Sequence, residues 1–141
     1  MKYAKSVMLV IDASALVDQL LRLHNADSID GHMVEHAGDL HAPHVVDLEV
    51  LGALRRADAS GLAGERARAM VHDFLDLPID RYPHAILAAR IWELRHNFSV
   101  FDATYVALAE SLADGTPLLT SDARLARAAR KHTGVEVLLA A

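Results

Sequence analysis

Two acidic residues stand directly after short apolar runs, at positions where a carboxylate has a chemical use. Asp12 closes the run at 7–11, and Asp122 follows the stretch that ends at Thr120. A carboxylate there is typical of a helix N-cap, in which a side-chain oxygen accepts a backbone N–H. The same place is the edge of a parallel sheet where ligands bind, so both interpretations of the two acids remain open.

Two further acids, Glu49 and Asp102, fall among apolar or small residues at helical spacing. The residues one turn away from Glu49 are Val45, Val46, Gly52 and Ala53. Tyr105 and Val106 follow Asp102 by one turn. A carboxylate with such neighbours is costly unless it is paired or binds a metal. The alternatives are a surface position for Glu49 and a capping arrangement in which Ser99 precedes Asp102.

Short apolar runs alternate with stretches of helical spacing along the whole chain. The predicted strands are 7–11, 79–81, 117–120 and 135–139. The predicted helices are 14–23, 31–36, 45–58, 63–75, 83–95, 101–112 and 124–131. Strands separated by helices require crossover connections, which predict an α/β fold with a mainly parallel sheet covered by helices. We expect a single domain over residues 1–141, because the chain has neither an internal repeat nor a linker.

The composition narrows the classes of function. The net charge is −5, from 14 basic and 19 acidic residues, which is not typical of a nucleic-acid binder. An acidic total would also arise from carboxylates collected around cations. The chain has no cysteine, which excludes disulfides and thiolate zinc sites and fits a reducing cytoplasm. No stretch approaches the roughly 20 apolar residues that span a bilayer, so we expect no membrane contact.

The four acids predict metal chemistry if the fold brings them together. Clustered carboxylates repel one another and take up protons unless a cation neutralises them. Mg²⁺ and Mn²⁺ prefer oxygen ligands. Acids, a bound Mg²⁺ and no thiol best serve phosphodiester hydrolysis. One metal generates the attacking hydroxide, and a second, if present, stabilises the leaving oxygen, so the sequence leaves open whether one or two metals bind.

Four segments of the chain carry a resemblance to a known family. They are VIDASAL at 10–16, LEVLGALRR at 48–56, FDATYVALAE at 101–110 and LLTSDARL at 118–125. In this order they resemble the PIN domain and, within it, the VapC-type ribonuclease toxins of toxin–antitoxin pairs. The segments span nearly the whole chain.

The resemblance implies a PIN-like three-layer α/β/α sandwich and a Mg²⁺-dependent endoribonuclease in which Mn²⁺ can substitute. It implies an acidic metal site of Asp12, Glu49, Asp102 and Asp122, with Ser14 and Thr120 as hydroxyls that orient the carboxylates. It also implies a homodimer, an RNA substrate and a cognate antitoxin that blocks the site.

Positive side chains near the acids must offset repulsion between the acidic protein and RNA. Arg95, shortly before Asp102, and Arg124, just after Asp122, are our candidates for RNA binding. Ordinary solvated arginines on a helix are the alternative for both.

Other interpretations compete with the nuclease. The stretch at 32–36, HMVEH, matches a zinc-protease pattern in which two histidines share a metal, but nine histidines make chance matches common. A phosphoryl-transfer domain would also place an acid after the first strand. A non-catalytic module that binds RNA or the antitoxin is a third alternative. We place His41 and His44 on a surface loop or a strand start, and Trp92 and Phe98 in the core or a dimer interface.

Overall fold

A five-stranded sheet in which every pairing is parallel forms the centre of the protein. The computed structural model describes residues 7–141. The strands are β1 Leu9–Ile11, β2 Leu40–Pro43, β3 Ile79–Tyr82, β4 Leu118–Thr120 and β5 Val137–Leu139. Their order across the sheet is β3-β2-β1-β4-β5. The prediction of a parallel sheet is therefore confirmed.

Helices cover both faces of this sheet. The α-helices are α1 Ala13–Leu20, α2 Ala26–Glu35, α3 Val45–Ala59, α4 Gly64–Asp76, α5 Ala88–Glu93, α6 Val100–Ser111 and α7 Ala123–His132. Helices α1 to α4 pack on one another, and α5 packs on α6, which lies against β1, β2 and β4. This arrangement is the α/β/α sandwich expected for right-handed crossovers between parallel strands.

The strands β1 and β4 are apolar except for Thr120, because helices bury them from both sides. All three residues of β1 are fully buried, as are Leu118, Leu119 and Thr120 of β4. A strand covered on both faces shows a continuous apolar run rather than an alternation of apolar and polar residues. Among the residues that the structure describes, no helix has the length and apolar content required to cross a membrane.

The chain reverses its direction of travel across the sheet between β1 and β4. From β1 it moves outward through β2 to β3, and it then crosses back to β4 and moves on to β5. Ligands of such sheets bind beyond the carboxyl ends of the strands at this switch point. Asp12 follows β1 and Asp122 follows β4 by two residues, so both acids lie at the switch point.

Three parts of the sequence prediction require correction. Residues 40–43, which we did not assign to a strand, form β2. His41 is its second residue and is buried, so the strand-start alternative holds and the surface-loop alternative is wrong. Helix α2 is longer than the predicted 31–36. The predicted helix at 83–95 contains α5 between two 3₁₀ turns. Phe98 is buried as expected, whereas Trp92 is 66% exposed and does not belong to the core.

Candidate active site

Asp12 is buried at the point where β1 passes into α1. Its Oδ1 accepts hydrogen bonds from the Ala15 N–H at 3.0 Å and from Ser14 Oγ at 2.7 Å. Its Oδ2 accepts a hydrogen bond from Thr120 Oγ1 at 2.6 Å. The N-cap interpretation is confirmed, and the cap uses only one of the two carboxylate oxygens.

Burial makes the negative charge of Asp12 unfavourable. It raises the pKa of Asp12 from 3.8 to about 6, although the hydrogen bonds from Thr120, Ser14 and the Ala15 backbone lower it. The nearby charge of Asp102 raises the pKa further. A cation beside Asp12 would remove this penalty, because it favours the ionised carboxylate.

Two hydroxyls join the end of β1 to the end of β4. Thr120 Oγ1 donates to Asp12 and accepts a hydrogen bond from the Asp122 N–H at 3.0 Å. Ser14 Oγ lies 3.2 Å from Thr120 Oγ1 and accepts a hydrogen bond from the Ser121 N–H, also at 3.2 Å. The two strand ends are therefore held in a fixed relation, which orients Asp12 with respect to Asp122.

Glu49, on α3, is half-buried and contacts the tyrosine that sequence spacing placed one turn after Asp102. Tyr105 Oη donates a hydrogen bond to Glu49 Oε1 at 2.6 Å. Burial raises the pKa of Glu49, the Tyr105 hydrogen bond lowers it, and the charge of Asp102 raises it. Burial and the adjacent Glu49 carboxylate raise the pKa of Tyr105 above its usual range, so this phenol remains a proton donor.

Asp102 lies in the first turn of α6, whose N-cap is Ser99. Ser99 Oγ accepts a hydrogen bond from the Asp102 N–H at 3.1 Å, so the predicted capping arrangement is present. Burial and the charge of Asp122 raise the pKa of Asp102. A hydrogen bond with Ser99 and the charge of Arg124 lower it. Asp102 thus interacts electrostatically with each of the other three acids.

Asp122 is the N-cap of α7. Its Oδ1 accepts hydrogen bonds from the N–H groups of Arg124 at 2.9 Å and Leu125 at 3.3 Å. Its Oδ2 has no hydrogen-bond donor in the described part of the chain. As with Asp12, capping leaves carboxylate lone pairs that could bind a cation.

A cavity of about 530 Å³ brings two of the acids together with both arginines predicted to bind RNA. Its lining includes Arg95, Ser99, Asp102, Asp122 and Arg124. Arg95 also donates a hydrogen bond to the backbone oxygen of Trp92, and its guanidinium lies 4.2 Å from the centre of the Trp92 ring. The Arg124 side chain has no hydrogen bond or ion pair with other described residues.

The donor set fits a hard divalent cation. It consists of carboxylate oxygens in which the charge of Asp102 raises the pKa of Asp12 and of Glu49, and the charge of Asp122 raises the pKa of Asp102. Within residues 7–141 no lysine or arginine forms an ion pair with any of the four acids. Oxygen-only sites of this kind suit Mg²⁺ and Mn²⁺.

The model of the PIN-domain family matches residues 9–131. The chain belongs to the PIN-domain family. The match includes all four acids and strands β1 to β4, whereas β5 starts after residue 131.

Named relatives of this PIN domain are ribonucleases. The chain is 44% identical to "Ribonuclease VapC1" of Mycobacterium tuberculosis over 122 residues. This alignment covers 84% of the chain and 89% of the relative. It is 38% identical over 132 residues to "VapC ribonuclease Mb0985" of Mycobacterium bovis, which covers 93% of the chain and 98% of the relative.

A solved structure supports the fold alone. PAE2754 from Pyrobaculum aerophilum superposes with a TM-score of 0.64, over 95% of this chain and 85% of that chain, at 22% sequence identity. The PIN fold that the sequence implied is therefore confirmed.

A second cavity, of about 380 Å³, contains an arginine that sequence reasoning did not select. Its lining includes Ser14, Glu49, Gly52, Arg56 and Phe101. Arg56 follows Glu49 by seven residues, or two helical turns, so the spacing places both on one face of α3. One Arg56 guanidinium nitrogen lies 3.6 Å from the position a Cβ would take at Gly52. Gly52 and the Arg56 guanidinium therefore lie within van der Waals reach of each other in the cavity that Glu49 also lines.

The zinc-protease alternative finds no support in this PIN domain. His32 Nδ1 lies 3.9 Å from Glu35, and His36 Nδ1 bonds to the His32 backbone oxygen. Within the described residues, no group of three potential metal ligands includes either histidine. The one such group contains Asp39, His41 and Asp80, which are separate from the four acids.

Proposed function

We propose that this PIN domain is a metal-dependent endoribonuclease and the toxin of a toxin–antitoxin pair. The observation that carries the proposal is the arrangement of the acids: Thr120 joins Asp12 to the backbone of Asp122, and Asp102 and Asp122 line one cavity. No lysine or arginine of residues 7–141 forms an ion pair with Asp12, Glu49, Asp102 or Asp122. The ribonuclease names of relatives that are 36–44% identical support the same reaction.

Mg²⁺ is the cation we propose, with Mn²⁺ able to replace it. The ion is held by Asp12, Glu49, Asp102 and Asp122, whose oxygens match the preference of both metals. When bound, it supplies a Lewis acid that lowers the pKa of a water for in-line attack on the RNA phosphodiester. No side-chain nucleophile is required.

The surrounding residues orient this site. Thr120 and Ser14 fix the rotamer of Asp12 through its two oxygens. Tyr105 fixes one oxygen of Glu49 and leaves the other available. Such supporting hydrogen bonds hold metal ligands in a productive orientation.

RNA contacts arginines in the two cavities that flank the acids. Arg95 and Arg124 line the cavity beside Asp102, and Arg56 lines the cavity beside Glu49. A phosphate chain that crosses the acids meets a guanidinium on either side. These contacts offset the net negative charge of the protein.

The proposed partners are a cognate antitoxin and a second copy of the chain. Ile86, Trp92 and Val100 are 67%, 66% and 61% exposed, and His84, Ile91, Trp92 and Val100 line a largely apolar cavity. Exposed apolar clusters of this kind are typical of interaction surfaces. The lack of cysteine agrees with a reducing cytoplasm as the compartment of action.

A cleavage assay with purified chain and structured RNA tests the proposal. We expect cleavage with Mg²⁺, none after EDTA, and none with Asp102→Asn. Asp114→Asn, the same chemical change at an exposed position after α6, is the matched control and keeps full activity. Undiminished cleavage by a folded Asp102→Asn variant would overturn the proposal, and RNA binding without cleavage would favour a non-catalytic module.

A further inference from the structure

A second group of potential metal ligands lies on β2 and β3, nearer the amino ends of these strands. His41 is the second residue of β2, and Asp39 directly precedes that strand. Asp80 lies opposite His41 in the register of β3. Residues that are opposite in register, and residues two apart along a strand, project from the same face of a sheet. The sheet therefore brings the three side chains together.

The imidazole of His41 is buried and held from both ring nitrogens. It is 3% exposed, with Nε2 2.7 Å from Asp39 Oδ1 and Nδ1 2.7 Å from Tyr82 Oη. Asp80 Oδ2 lies 3.8 Å from Nδ1. One ligand atom from each of Asp39, His41 and Asp80 lies within 4.8 Å of the others.

The negative charge of this group is not balanced by a lysine or arginine. In the described part of the chain, His41 is the one ion-pair partner of both Asp39 and Asp80. Arg81, next in sequence to Asp80, instead pairs with Asp47. A neutral imidazole can donate only one hydrogen bond, so it cannot satisfy both carboxylates. A divalent cation would neutralise the two carboxylates together.

We propose that Asp39, His41 and Asp80 bind a divalent transition-metal ion of the Zn²⁺ type. An imidazole nitrogen favours such ions over Mg²⁺, which selects oxygen ligands and water. A metal on Nε2 would take the place of the hydrogen bond between Nε2 and Asp39, while Tyr82 on Nδ1 fixes the ring orientation, as the second hydrogen bond of metal-bound histidines does. This inference does not depend on the proposed nuclease function.

To close around an ion at Nε2, the Asp80 side chain would have to rotate from the Nδ1 edge of the imidazole toward Asp39. Ligands of tetrahedral zinc lie about 3.3 Å apart, given zinc–ligand distances of about 2.0 Å. His41 and Asp39 are already near that separation. The Asp80 side chain is 73% exposed and can rotate toward them, with water completing the coordination. The ion would tie the edge strand β3 to β2.

Metal titration of a variant without the proposed nuclease site tests the inference. The background is the untagged full chain with Asp12→Asn and Asp102→Asn, which removes ligands of the other site. Calorimetry with Zn²⁺ measures stoichiometry and affinity. Visible absorption of the Co²⁺ form reports nitrogen coordination, because tetrahedral sites with imidazole absorb strongly and octahedral all-oxygen sites do not.

Two substitutions in that background remove ligands, and two serve as controls. Asp80→Asn changes an exposed side chain and leaves the buried hydrogen bonds of His41 intact. His41→Gln removes the nitrogen ligand. Asp73→Asn and His24→Gln make the same kinds of change at exposed positions of the chain.

We expect one Zn²⁺ per chain and an intense Co²⁺ spectrum. We expect at least a tenfold loss of Zn²⁺ affinity in Asp80→Asn and none in the controls. The proposal is overturned if the background variant binds no stoichiometric Zn²⁺, or if Asp80→Asn binds it as tightly as Asp73→Asn. In either case the group is a hydrogen-bonded network without a metal.

Discussion

Asp12 combines two properties that conflict in a metal-free protein, burial and a carboxyl group. Burial raises its pKa to about 6, so the folded state binds this proton more tightly than the unfolded chain does. The free energy of unfolding of the metal-free protein therefore decreases as the pH rises from 3.8 through about 6. A shift of this size corresponds to roughly 3 kcal/mol.

Asp12→Asn should stabilise the metal-free protein at neutral pH while it abolishes cleavage. The amide keeps an acceptor for Ser14 and Ala15 and can donate to Thr120, but it carries no charge. We expect a gain of about 1–3 kcal/mol at pH 7 and a flatter dependence on pH between 4 and 6. Denaturant unfolding in EDTA measures both, with Asp114→Asn as the control. An unchanged pH dependence would refute the burial argument.

Tyr105→Phe should impair Glu49 without removing it. In the wild-type protein, the hydrogen bond from Tyr105 to Glu49 Oε1 lowers the pKa of Glu49, and the substitution deletes this hydrogen bond. The pKa of Glu49 then rises further, so the acidic limb of the cleavage rate moves to higher pH. We expect a loss of about ten- to a hundredfold in rate at neutral pH. Tyr82→Phe, which deletes a phenol hydroxyl beside His41, is the control and should leave the pH dependence of the cleavage rate unchanged. The same shift in both variants would contradict the role of Tyr105 in orienting Glu49.

At the scale of elements, the carboxyl ends of β1 and β4 work as one unit. Thr120 is fully buried, and it connects Asp12 of one strand end to the backbone of Asp122 at the other. The same two acids begin α1 and α7 as N-caps. The position of these two proposed metal ligands therefore depends on where the helices start.

Thr120→Val should damage the site more than its effect on stability explains. Valine keeps the shape but removes the donor to Asp12 and the acceptor for Asp122 N–H, at a cost of about 1–3 kcal/mol in unfolding free energy. Thr116→Val is matched, since Thr116 is 4% exposed and its hydroxyl donates to Ala113 in a turn before β4. We expect Thr120→Val alone to weaken Mg²⁺ binding in calorimetry. Equal Mg²⁺ affinities in the two variants would rule out the orienting role.

The sequence predicted the elements that position the acids but missed β2, the strand between β1 and the edge strand β3. Strands β1 and β4 are recognisable because they are short apolar runs closed by an acid. Strand β2, with the sequence LHAP, contains a buried histidine and a proline, and its paired strand β3 carries Asp80 and Arg81. The polar side chains of this region form hydrogen bonds with residues that are distant in sequence, such as His41 with Tyr82 and Arg81 with Asp47. Only the folded chain shows those partners, and the same limit hid the place of Arg56.

At the scale of the whole molecule, the proposed function requires a protein of net charge −5 to bind a polyanion. The structure places Arg56 in one cavity beside the acids and Arg124 in the other. Neither guanidinium forms an ion pair within residues 7–141. Both are therefore available for phosphates. That all 141 residues form a single domain stays a prediction.

Arg56→Ala and Arg124→Ala should each weaken RNA binding mainly through electrostatics. Each lost phosphate contact should reduce the slope of log affinity against log salt by about 0.7, as for single strands. Fluorescence anisotropy with the inactive Asp102→Asn chain measures this slope in Ca²⁺ or Mg²⁺. Arg66→Ala, an exposed arginine on α4, is the matched control. A slope identical to that of the control would exclude the two arginines from the RNA path.

The central claim is that Asp12, Glu49, Asp102 and Asp122 converge on one divalent cation. Crystals of the protein soaked in Mn²⁺, with the ion located by anomalous diffraction, test it most directly. We expect a peak about 2.1 Å from a carboxylate oxygen of Asp12 and of at least one more of these acids. No peak at the carboxyl ends of β1 and β4, in a crystal that binds Mn²⁺ elsewhere or not at all, would contradict it.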